Sequence, residues 1–223
     1  MRGVRANQTG SIDMKAVESL IREHQVIGGL ADALESYAQH TRQGPPPDAA
    51  DLGRFAAAFT DLAERIHHEK EENILLPLLV RHGVHWEDGA LPAVRREHRQ
   101  EAYLIDVLRQ AAERAASWNQ EERRHVAASA QALADFQRTH HALESSQLFP
   151  LIATRLDASA LAELQSALEK FDREHAALRA TAIARAEALS ELYRPLGPSG
   201  VKLIARERLE SPPPSECCLG LDD

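Results

Sequence analysis

The chain has 223 residues, room for one domain with tails, and its 43% hydrophobic content is enough for a sizeable core. Aromatics are only 4%, while alanine, leucine, glutamate and arginine dominate, a bias that favours long helices over β-sheet. The formal charge of −8 is spread along the chain with arginines set among acids, which argues against nucleic acid as a partner, and no apolar run approaches the ~20 residues of a bilayer span.

The N-terminal MRGVRANQTGSIDMK is basic but lacks an apolar h-region, so it does not read as a secretory signal. A first helix is expected from Ser11 or Asp13, either of which can cap it, to His40. Val17, Leu20, Ile21, His24, Ile27, Leu30, Ala31 and Leu34 recur along it at helical spacing. The linker GPPPDAAD (44–51) breaks it. A second helix over about 48–82 contains Pro77, which should kink or weaken its last turns. GVHWEDGA (83–90) reads as a loop, and a third helix over about 91–117 enters through Pro92, tolerated in a first turn. Ser117 or Asn119 then caps a fourth helix to about 155, interrupted near its end by Pro150. A fifth helix, capped by Asp157 or Ser159, runs to about 193. The polar, proline-bearing remainder, 195–223, is expected to be a flexible tail. Both cysteines, Cys217 and Cys218, sit there side by side, so no disulfide framework staples the core; this fits a reducing, cytoplasmic setting. Tyr37 and Tyr103 are expected in the core.

A repeat organises these elements. Glu23-His24 recurs as Glu97-His98, 74 positions on, and His67-x-x-x-Glu71 with Leu75-Leu76-Pro77 recurs as His140-x-x-x-Glu144 with Leu148-Phe149-Pro150, 73 on. Two helical hairpins of one pattern imply an all-α protein, an up-down antiparallel four-helix bundle over 12–156, with an added C-terminal helix over 157–194.

His and Glu four apart share one helical face, so both can reach a single site. Imidazole suits iron, copper or zinc, and a carboxylate adds charge and can span two cations. Two such helices facing inward bring two His and two Glu, and His24 and His98 raise the set to four His and two carboxylates over two ions. The small residues one turn on, Gly28 and Ala102, cannot ligate, which leaves room for an exogenous ligand. Matching the LLP and LFP endings selects His67 and Glu71 over His68 and Glu72, because His141 is followed four residues later by Ser145. His68, His141 and Glu72 then read as neighbours of the site. Glu101, nearly on the face of His98, is a further candidate ligand. Glu174-His175, with no HxxxE after it, reads as a surface or packing pair.

The set EH24…H67xxxE71…EH98…H140xxxE144, with its LLP and LFP endings, resembles the hemerythrin-like (HHE cation-binding) domain over about 12–156. The resemblance implies a non-haem di-iron centre, oxo- or hydroxo-bridged, with His24, His67, Glu71, His98, His140 and Glu144 as metal ligands. It also implies a small oxidant (oxygen, peroxide or nitric oxide) as the molecule bound or turned over. Ala102 departs from the oxygen-carrying members, which have a further His there; the set looks more like the bacterial branch that includes iron–sulfur repair and nitric oxide-handling proteins. The alternative expectation is an iron storage, delivery or sensing module without turnover. Neither nucleic acid nor membrane is expected as a partner.

Overall fold

A 3-10 turn, Met14–Val17, leads into α1, Glu18–Gln43. The computed structural model describes residues 14–43, 48–87, 89–114 and 118–194, so Ser11, Asp13, Ser117 and the tail with Cys217 and Cys218 lie outside the described residues. Asp48 caps the second helix, its carboxylate accepting from the Ala50 N–H. That helix, α2, runs unbroken over 49–81: Ala49–Phe59, then two π-helical stretches, Thr60–His68 and Glu71–Leu75, then Leu76–Arg81. After the loop comes α3, Ala90–Arg114. Asn119 makes a full capping box with Glu122 at the start of α4, which continues over 120–155 through a π turn at Glu144–Leu148.

Neither proline ends its helix: α2 continues to Arg81 and α4 to Arg155, and the α-helical bonding is altered only in the turn before each proline. Each proline sits just beyond a widened turn, in which the Leu76 N–H donates to the Glu71 carbonyl and the Phe149 N–H to the Glu144 carbonyl, five residues back. Proline has no N–H and its ring crowds the carbonyl four residues back, so a turn bonded five apart absorbs the misfit and the helix continues.

The expected fifth helix is two helices. Asp157 caps α5, Ala158–Glu174, and α6, Ala176–Leu192, follows a break at His175, whose φ of −109° and ψ of 17° are not helical. His175 stacks on Phe171 with ring centroids 4.0 Å apart, a packing role at the corner.

Helix α1 packs along α4, α4 also contacts α3, and α3 contacts α2. Helix α6 lies against both α1 and α2, while α5 covers the Met14–Val17 turn and the Glu71–Leu75 stretch. Two apolar cores result. One gathers Ile27, Leu34, Tyr37, Phe59, Leu62, Ile105 and Leu133; the other gathers Leu20, Leu75, Leu79, Val94, Leu148 and Ile152. On each of α1 to α4 the two cores are separated by the histidines and glutamates of the repeat. Tyr37 is fully buried, but Tyr103 is 67% exposed, so its expected core role is wrong: it falls on the outer face of α3. No helix among the described residues is long and apolar enough to cross a membrane.

Candidate metal centre

The polar layer between the two cores holds all six residues of the repeat. His67, Glu71, His140 and Glu144 are essentially inaccessible, His98 is 5% exposed, and the His24 side chain alone has an appreciable solvent edge. Their donor atoms form two overlapping groups, His24, His67, Glu71 and Glu144, and Glu71, His98, His140 and Glu144, each lying within 4.8 Å of one another. Glu71 and Glu144 belong to both.

Within the first group the Nε2 atoms of His24 and His67 are 2.8 Å apart, and His24 Nε2 is 2.9 Å from Glu144 Oε2. In the second, His98 Nε2 is 3.1 Å from Glu71 Oε2, and His140 Nε2 is 3.1 Å from Glu144 Oε1. Two donors on one ion, each at about 2.1 Å and about a right angle apart, stand about 3 Å from each other.

The outward nitrogens are also held. His67 Nδ1 donates to Glu23 at 3.3 Å, His98 Nδ1 to Glu72 at 2.8 Å and His140 Nδ1 to Glu97 at 3.0 Å. A carboxylate can only accept, so each of these rings carries its Nδ1 proton, and the inward Nε2 is the lone-pair nitrogen of the neutral ring. The acid of each EH pair thus serves the histidine of the neighbouring helix: Glu23 serves His67, and Glu97 serves His140. Sequence reasoning missed this, although the recurring acid before each lone His was a usable signal.

The second histidines of the two HH pairs also match. His68 stacks on His98 with centroids 3.8 Å apart, and His141 stacks on His24 at 4.1 Å. His68 is closer to the centre than expected: its donor atom groups with those of His98 and His140. It also lies 3.3 Å from Glu101, which accepts from Gln137. Glu101 therefore attaches to His68 and falls outside both carboxylate groups. His175 lies at the α5–α6 corner, not with the six. A Cβ placed on Gly28 would meet nothing within 4 Å, so room remains beside α1 one turn from His24.

The charge pattern suits a cation. Both oxygens of Glu71 and of Glu144, with His98 Nε2 and His140 Nε2, are buried without an aligned hydrogen bond. Burial and the facing Glu144 charge push the Glu71 carboxyl up to about 7, whereas Glu144, despite burial, is held well below the usual carboxylate range by His140, His24 and His98. Burial opposes protonation of His98, yet Glu144, Glu71 and Glu72 raise it to about 10; His140, likewise opposed by burial, is raised to about 9 by Glu144, Glu101 and Glu71. Burial and His24 hold His67 well below its ordinary value. Without metal, protons on His98 and His140 balance the carboxylates. Cations between the donors would do the same and would displace those protons, so the residues fit a metal pair.

Buried His and carboxylate donors in a helical packing, with their outward nitrogens tied to acids, are the features of a metal-binding helical protein. The family model for the Hemerythrin HHE cation binding domain matches residues 15–152, and the chain belongs to that family. No curated protein and no solved structure matches it.

Proposed function

We propose that this is a non-haem di-iron protein that binds or reacts with a small oxidant (oxygen, peroxide or nitric oxide) at a four-His, two-Glu centre. The observation that carries the reading is the pair Glu71 and Glu144, each contributing to both donor groups, with all four oxygens buried and lacking an aligned hydrogen bond. His24 and His67 would hold one iron, His98 and His140 the other, and Glu71 and Glu144 would be shared. We read the scaffold as an up-down four-helix bundle over 12–156, with the helices of 157–194 added to it.

When bound, an iron pair supplies redox chemistry toward a small oxidant and a Lewis-acidic position for anions such as azide. The chain's part is to keep the donors in place. Glu23, Glu72 and Glu97 fix the tautomer and ring angle of His67, His98 and His140, so that each Nε2 faces inward. The apolar cores above and below keep bulk water from the carboxylates and strengthen the field they exert. Gly28 and Ala102, one turn from His24 and His98, carry no donor, and a Cβ added at Gly28 would meet nothing within 4 Å.

The test is anaerobic iron loading of the full chain, followed by exposure to oxygen, peroxide or nitric oxide with optical detection. Oxo-bridged ferric bands that shift with azide or peroxide are expected. An iron-loaded protein whose spectrum responds to none of these would rule the reading out.

A further inference from the structure

A group of charges lies behind Glu23, outside the six residues of the centre. Lys70, fully buried on α2, places Nζ 2.6 Å from Glu23 Oε1 and 2.5 Å from Asp172 Oδ1 of α5. Arg179 of α6 places Nε 2.9 Å from the same Glu23 oxygen and 3.6 Å from the same Asp172 oxygen. The other Glu23 oxygen is the one that accepts from His67 Nδ1. The break at His175 brings this about. In an unbroken helix residues 172 and 179 would be about 10 Å apart along the axis; the corner brings Asp172 to Lys70 and Arg179 to Glu23, with Arg179 Nε 3.6 Å from Asp172 Oδ1.

We propose that Lys70, Asp172 and Arg179 are positioning residues that clamp Glu23, so that α5 and α6 set the orientation of His67 from outside the segment matched by the family. This rests on the di-metal reading above.

The repeat supplies an internal control. The position of Lys70 in the second half is Leu143, 73 residues on, and that of Glu23 is Glu97. Glu97 holds His140, yet its side chain is 23% exposed and no lysine or arginine among the described residues pairs with it. The fold thus accepts an apolar residue where Lys70 stands, and packing alone does not demand the lysine. Burying a cation between two carboxylates is a poor route to stability compared with an apolar substitute, because desolvation offsets most of the attraction. What the cluster does provide is a fixed position for Glu23. The two metal positions therefore differ in support: the His67 position is braced by three helices, and the His140 position rests on a solvent-facing carboxylate.

The test is anaerobic cobalt(II) titration of the full-length chain, followed by its visible bands, with helicity checked by circular dichroism. Wild type should load two equivalents. Glu23→Gln, Arg179→Gln and Asp172→Asn should weaken one equivalent about ten- to a hundredfold and leave the other unchanged, while Glu97→Gln weakens the other. The double variant E23Q/R179Q should bind no more weakly than E23Q, because both act through one contact. Asp172→Asn, at a partly exposed position, repeats the test should R179Q fold poorly. Unchanged binding in folded R179Q and D172N, equal weakening of both equivalents, or additivity with E23Q would each overturn the clamp. If wild type loads no metal, the di-metal reading and the clamp fail together; if wild type loads two and the variants match it, only the clamp fails.

Discussion

Glu71→Gln should act in opposite directions on the metal-free and metal-loaded protein. In the metal-free fold Glu71 faces Glu144 in a buried site, which raises its carboxyl from an ordinary 4.5 to about 7. A carboxyl raised on folding stabilises the fold relative to its ionised form only while protonated, so its contribution is fully present below pH 4.5 and is lost as pH rises through 7. At about 1.4 kcal/mol per pH unit, the ionised Glu71 side chain costs the metal-free fold about 3 kcal/mol at pH 8. The amide is nearly the same shape and carries no charge. Metal-free E71Q should therefore be up to about 3 kcal/mol more stable than wild type at pH 8, a rise of about 6–10 °C in Tm, with the gap closing near pH 4. Iron should reverse the order: wild type gains stability by binding, while E71Q, lacking the shared ligand, gains much less. Thermal melts with chelator and with ferrous iron, at pH 4.5 and 8, read all four conditions. A metal-free E71Q less stable than wild type at pH 8, together with full iron stabilisation, would refute the placement of Glu71 between two cations.

Further outcomes follow from the same geometry. Because His98 and His140 are held up to about 10 and about 9 and the Glu71 carboxyl to about 7, metal loading at pH 7 should expel between two and three protons, seen by calorimetry in buffers of different ionisation heat. The same two histidines stabilise the metal-free fold fully below pH 6.5, and that contribution should fade as pH rises through 9 and 10. Leu34→Ala, deep in the apolar core away from the metal layer, should cost about 2–5 kcal/mol in denaturant unfolding without changing metal stoichiometry. Tyr193→Phe removes the hydroxyl that donates to buried Asp51 and should cost about 1–3 kcal/mol, again with metal content unchanged.

That the six residues of the repeat would come together was legible because the pattern recurs: two HxxxE pairs with matched LLP and LFP endings, and two EH pairs at nearly the same offset, leave little freedom in register. Local chemistry also carried the caps at Asn119 and Asp157, and the first four helices to within a few residues of their ends. What was not legible is what depends on distant partners. Lys70 looks like a solvated charge in HHEKEENILLP, and only Asp172, 102 positions away, and Glu23, 47 positions away, make it a buried one. The corner at His175 has no glycine or proline to announce it; it exists because α6 packs back on α1 and α2. The widened turns before Pro77 and Pro150 were hidden as well, since proline reads as a breaker until a five-residue bond is allowed. Tyr103 was misjudged because one aromatic on an amphipathic helix says little about which face it takes.

Two irons on shared carboxylates are what we propose this chain holds. Metal analysis of the full-length protein after anaerobic iron loading and desalting tests it most directly. Two irons per chain, falling sharply in His67→Ala, is the expected result. Fewer than two irons per chain in wild type, or undiminished binding in His67→Ala, would contradict it.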